Sequence, residues 1–114
     1  AACLAKMSER GQINGFKLDG PLSYDVAMDL KCAQAKSLKN YDVAGDPDIL
    51  LAPNIEAANI LGKAYKFHGQ AKSGGLVLGA TAPIVLNSRS DGPVRRLNSI
   101  LLACAIASEY ETNN

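Results

Sequence analysis

The spacing of apolar and polar positions changes several times along this chain, and each change marks an element. The opening "AACLAKMSERGQ" reads as a helix already under way. Arg10 and Gly11 read as its end, with glycine supplying the left-handed residue after the last turn. A short strand is expected over Gly15–Leu18, closed by the turn formers Asp19, Gly20 and Pro21. Ser23 is placed to cap a helical segment beginning "YDVAMD", and "KCAQAKSL" gives a second short helix. "KNYDVAGDPD" reads as loop. Ile49–Ala52 then reads as a buried strand stopped by Pro53. Asn54 is a good N-cap for "IEAANILGKAYKFHG", in which Ile55, Ala58, Leu61, Ala64 and Tyr65 share one face. Glu56 sits in the first turn, where the helix dipole favours it, and Gly69 is expected to end the helix.

Two further apolar runs, Leu76–Gly79 and Ile84–Leu86, read as buried strands. The last helix is expected from Pro93 to about Tyr110, with proline at the first helical position. Its centre, "ILLACAIA", is apolar nearly all round and calls for burial on several sides. Apolar strands alternating with helices predict an α/β fold, a layered αβα arrangement around a mostly parallel sheet. Ligands in such folds bind beyond the carboxyl ends of strands. The junctions "APNIEAAN" and "LNSRSDGP" lie at such ends.

Composition narrows the possible functions. The chain has 114 residues, enough for one domain, with 12 basic and 11 acidic residues and a net charge of +1. That balance excludes a broad basic face for nucleic acid but leaves room for a local anion site. Cys3, Cys32 and Cys104 are odd in number and widely spaced, which favours reduced thiols in a cytoplasmic protein over disulfides or zinc. No apolar run reaches membrane-spanning length. His68 has no second ligand at helical spacing, so no metal site is expected and a helix-end cation is the simpler reading. "GQAKSGG" departs from the phosphate-loop pattern and reads as a polar turn. "GDPD", Asp19 and Asp25 read as turn residues before cation ligands.

The chemistry concentrates in "NSRSDGPVRR". Asn87, Ser88 and Ser90 offer side-chain hydrogen bonds, and Arg89 offers a forked cationic donor suited to phosphate. The N–H groups of the following helix start favour the same charge. In the alternative reading, Arg95 and Arg96 are solvated while Ser90 and Asp91 cap the helix. Asp91 is thus either a cap or a general base, and the nearby arginines would lower its proton affinity.

Three blocks in series, "LDGPLSYDVAM", "VAGDPDILLAPNIEAANILGKAY" and "GGLVLGATAPIVLNSRSDG", followed by a terminal apolar helix, closely resemble the phosphate acetyl/butyryltransferase family. "IVLNSRSDG" is more similar to the butyryl-type branch. The resemblance implies transfer of an acyl group between coenzyme A and inorganic phosphate, with coenzyme A as a substrate and no other cofactor. It implies a fold like that of isocitrate and isopropylmalate dehydrogenases, with a cleft between two α/β domains, and commonly a homodimer. Ser88 and Arg89 would bind phosphate or offset charge in the transition state. A base must also generate the CoA thiolate. The acetyl-type branch keeps an aspartate at about the position of Arg95, so Asp91 is the substitute candidate here.

Family members are considerably longer. The resemblance therefore implies an incomplete chain, with residues 1–82 from the second domain and residues 83–114 a strand and helix returning to the missing first domain. Such a piece would be inactive alone. The partners implied are CoA, acyl-CoA and phosphate, together with the rest of the parent chain or further copies. A related possibility is a non-catalytic acyl-CoA-sensing or assembly domain, as at the C-terminus of some malic enzymes. A bare structural module would bind no anion. An apolar terminal helix without its neighbours should drive self-association. Sedimentation of the chain should give species larger than one copy, and a stable monomer at high concentration would refute this.

Overall fold

In the computed structural model, residues 1–38 and 42–112 are described, residues 110–112 by their backbone alone. Residues 39–41, the start of the loop expected at 39–48, lie outside them. The chain divides into two compact units, Ala1–Leu51 and Ala52–Asn114. The expected boundary at 82/83 falls inside the second unit.

The first unit holds α1 (Ala2–Glu9), α2 (Tyr24–Met28) and α3 (Leu30–Ala35). α1 ends as its sequence predicts. Gly11 adopts φ +69°. Its N–H bonds to the Ser8 carbonyl, and Gln12 N–H bonds to Met7. Asp29 separates the next two helices. Its extended backbone stops α2, while its carboxylate accepts the Lys31 N–H at 2.8 Å and caps α3. Ser23 holds the N-cap position of α2 without a side-chain cap bond; its hydroxyl meets Lys36 Nζ instead. The core is small: Val26, Ala33 and Ala44 are buried together, with Leu22 and Leu38 packed against them. Gly45 follows with φ +93°, and a Cβ there would lie 2.7 Å from Leu30 N, so this close approach requires glycine.

The second unit holds α4 (Ile55–Phe67), β1 (Leu76–Val77), β2 (Ile84–Val85) and α5 (Pro93–Thr112). Asn54 caps α4 by accepting the Ala57 N–H at 2.8 Å. At the other end, Gln70 takes the left-handed conformation, φ +50°, rather than Gly69. α5 packs on both strands.

The chain is α/β, but the strand expectations need correction. Gly15–Leu18 and Ile49–Ala52 form no strand, and both remaining strands are shorter than their apolar runs. β1 and β2 pair antiparallel, Leu76 with Val85 and Val77 with Ile84, so the described residues contain no parallel pair. The reason lies in the connection. Only residues 78–83 join the strands, too few for the crossover that parallel neighbours need. Ile49 and Leu51 stay 84% exposed, with no strand among the described residues paired to them.

Gly75 continues the ladder, its carbonyl accepting the Leu86 N–H at 3.0 Å. A Cβ on Gly75 would fall 2.1 Å from the Leu86 carbonyl oxygen, and one on Gly74 would fall 3.1 Å from Ser99 N. A Cβ on mid-helix Gly62 would meet nothing within 4 Å. Urea unfolding should therefore separate the two by sign. Gly75→Ala should cost about 2 kcal/mol or more by overpacking, whereas Gly62→Ala should stabilise by up to about 1 kcal/mol through helix propensity.

Candidate functional site

The turn after β2 organises the site. Asp91 N–H bonds to the Ser88 carbonyl at 3.0 Å, which closes residues 88–91 into a turn. The Asp91 carboxylate reaches back across this turn, and Oδ2 accepts the Ser88 N–H at 2.8 Å. Oδ1 takes the Lys66 ammonium from the last turn of α4, and Arg95 Nη1 stands 4.0 Å away. The Lys66 and Asp91 side chains are only 8% and 14% exposed, so water screens this pair weakly. These contacts, led by the Lys66 hydrogen bond and then the Ser88 N–H, hold the Asp91 carboxyl below its usual pKa.

The contacts of Asp91 and Arg96 bear on two sequence alternatives. Asp91 does not direct its carboxylate to the N–H groups of α5. Both oxygens are engaged and the group is held ionised, so here it is a fixed counter-charge and a weak proton acceptor. Arg96 is not purely solvated, since its Nε donates to the Asp91 carbonyl at 3.0 Å.

A cleft of about 250 Å³ opens beside the turn, with α4, the 73–75 segment and the start of α5 as its walls. Asn87, Ser88 and Asp91 line it. Ser90 is exposed and lies outside the lining, and its hydroxyl is 3.1 Å from that of Ser88. Arg89 is exposed on the same turn and is not part of the lining. The cations that do line the cleft are Lys63, Lys66 and Arg95. The apolar periodicity of this helix marks the face expected to be buried and carries no sign that the two lysines meet the turn. The available signal was their i, i+3 spacing, which puts both on one side of α4. Among the described residues, no group of three or more His, Cys, Asp or Glu is arranged to hold a metal ion. No described helix is long and apolar enough to cross a membrane.

The second unit is a small α/β unit that brings Lys63, Lys66 and Arg95 to one cleft beside a strand end. The sequence carries the assignment further. Residues 1–104 match the family described as phosphate acetyl/butaryl transferase, and the chain belongs to that family. It is 46% identical over 108 residues to a phosphate butyryltransferase of Clostridium beijerinckii, which covers 95% of this chain and 35% of the relative. It is 49% identical over 110 residues to a phosphate acetyltransferase of Rhizobium meliloti, covering 96% and 33%. Its structure resembles that of a branched-chain phosphotransacylase from Enterococcus faecalis, with a TM-score of 0.72 at 34% identity, covering 90% of this chain and 39% of that one. The chain thus spans about a third of the length of the curated relatives it matches.

The depressed Asp91 carboxyl has a definite sign in pH dependence. Its stabilising contacts are fully present above the ordinary carboxylate value of 3.8 and are lost as pH falls through the lower folded-state pKa. Lys66→Met should raise the Asp91 pKa, read from its carboxyl 13C shift, and bring the onset of acid unfolding to higher pH. An unchanged titration would contradict the Lys66 pairing.

Proposed function

We propose that this chain forms part of a phosphate acyltransferase that moves an acyl group, butyryl or acetyl in type, between coenzyme A and inorganic phosphate. The observation that carries the reading is the charge in the cleft. Three cations, Lys63, Lys66 and Arg95, face one carboxylate, Asp91, leaving two positive charges for an incoming group. A phosphate dianion complements them.

In the proposed reaction a phosphate oxygen attacks the thioester carbonyl. The carbon–sulfur bond breaks, the sulfur leaves with the electron pair, and the products are acyl phosphate and CoA. The Ser88 hydroxyl and the Asn87 side chain meet the phosphate from the strand end. The cations offset charge that accumulates on the tetrahedral intermediate. Arg89, exposed beside them, would clamp phosphate or CoA once the rest of the protein closes over the turn, and Ser90 would support Ser88. Asp91 acts through charge, keeping Lys66 in place. The base that takes the CoA proton in the reverse direction is then sought outside Asp91. No metal or further cofactor enters this scheme.

The larger architecture belongs to the same proposal. Residues 1–82 would lie in the second domain of a longer protein and residues 83–114 would return to its first. The exposed apolar run at 49–52 and the two short strands would join a larger, mostly parallel sheet of the isocitrate/isopropylmalate dehydrogenase type. The apolar face of α5, with Val94, Leu97 and Leu101 exposed, would be covered there. The assembly would be a cytoplasmic homodimer.

The direct test is thiol release from acyl-CoA with phosphate, using the full-length protein. Lys63→Ala and Arg95→Ala should each raise KM for phosphate about tenfold, the usual scale for losing one charged hydrogen bond. Absence of turnover with acetyl-, propionyl- and butyryl-CoA would sink the enzymatic reading, and acyl-CoA binding without turnover would favour a sensing domain instead.

A further inference from the structure

Ser99 is fully buried, and it is the only buried polar residue among those described. It sits in α5, where a serine hydroxyl is ordinarily satisfied by the carbonyl four residues back. That partner is present, the Arg95 carbonyl at 3.0 Å. The hydroxyl nevertheless makes two further contacts. It accepts the Gly75 N–H at 2.9 Å, and its single hydrogen is shared between the Arg95 carbonyl and Asn87 Oδ1, the latter nearer at 2.8 Å. The crowded backbone around it, enforced by Gly74 and Gly75, fixes where that hydroxyl lies.

The Asn87 contact has a chemical consequence. An asparagine amide presents an acceptor at one end and two donors at the other. Because Ser99 engages Oδ1, the end that half-buried Asn87 can offer a ligand is its NH2 group. Asn87 lines the cleft with the three cations. A donor there attracts an anion, whereas a carbonyl oxygen would repel it. A hydroxyl at position 99 thus selects the productive rotamer of Asn87.

We infer that Ser99 is a positioning residue that locks the Asn87 side chain with its NH2 group toward the cleft, making Asn87 a hydrogen-bond donor to the bound phosphate. The inference rests on the acyl-transfer reading for its ligand and deepens that reading by naming the donor and the group that sets it. A serine serving only to fill space would make no demand on the amide's direction. Removing the hydroxyl frees the amide to rotate by half a turn.

The test is a titration with inorganic phosphate followed by NMR, reading the Asn87 side-chain NH2 resonances. In the wild-type chain these resonances should shift with phosphate. Ser99→Ala should weaken phosphate binding about tenfold and abolish that shift, while Ser99→Thr, which keeps the hydroxyl, should restore both. Wild-type Asn87 resonances that ignore phosphate would overturn the inference, as would Ser99→Ala binding like the wild type or Ser99→Thr binding no better than Ser99→Ala. Should Ser99→Ala fail to fold, the Asn87 response in the wild type and Ser99→Thr still decides. The two readings fail separately. A phosphate-responsive Asn87 in a full-length protein without acyl transfer removes the enzymatic reading alone. Acyl transfer with a silent Asn87 removes this inference alone.

Discussion

The second unit depends on a close approach of backbones at Gly74 and Gly75. There Gly75 comes so near the Leu86 carbonyl that no side chain fits between them, and Gly74 lies tight against the Ser99 amide. All buried apolar residues described, Val26, Ala27, Ala33 and Ala44, belong to the first unit. In the second unit the one buried side chain among the described residues is a hydroxyl. Its organisation near the site therefore comes from directional polar contacts and close packing of main chain, with little help from an apolar core. Directional contacts fix geometry more tightly than burial of area, which is non-directional. That suits a place where a turn must hold several groups against one ligand.

From this seam the electrostatics follow. The ladder bond from Leu86 to Gly75 ends β2, and Asn87 and Ser88 come directly after it. The 88–91 turn then brings Asp91 to Lys66 and Arg95. Cations gather near the start of α5, where the helix dipole alone would favour acids, because one carboxylate holds two of them. Asp91 neutralises part of their mutual repulsion and leaves the remainder as a net positive field. That field is worth more in a cleft whose ion pair is largely shielded from water than it would be on an open surface.

Helices were legible in the sequence where local chemistry decides them. Asn54 caps α4 and Gly11 turns the chain after α1 for reasons contained within a few residues. Strands were legible only in part, because a strand needs a partner that spacing along the chain does not specify. Val77 and Ile84 found each other across a short connection, while Ile49 and Leu51 found none. The site was legible in part for the same reason. Asn87, Ser88 and Asp91 are neighbours in sequence and line the cleft together. Lys63 and Lys66 come to it from a different helix, and only the fold joins them to the turn. Arg89, the turn's own cation, lies outside the cleft lining while cations from two helices line it.

The mismatch between apolar pattern and observed burial carries its own information. Leu51, Ile55 and Val94 have the composition of interior positions and the exposure of surface ones. Scattered exposed leucines mean little, but a helix apolar nearly all round is costly to leave open. Its inner face already meets β1 and β2. The sequence of α5 is consistent with packing on more than one side, and its relatives are about three times as long. On the proposed reading the local turn builds the anion site, and the apolar faces secure that turn to the remainder of the enzyme. The polar seam around Ser99 and the open apolar surface of α5 then divide the work: one sets the angles within the site, the other sets where the site sits in the whole protein.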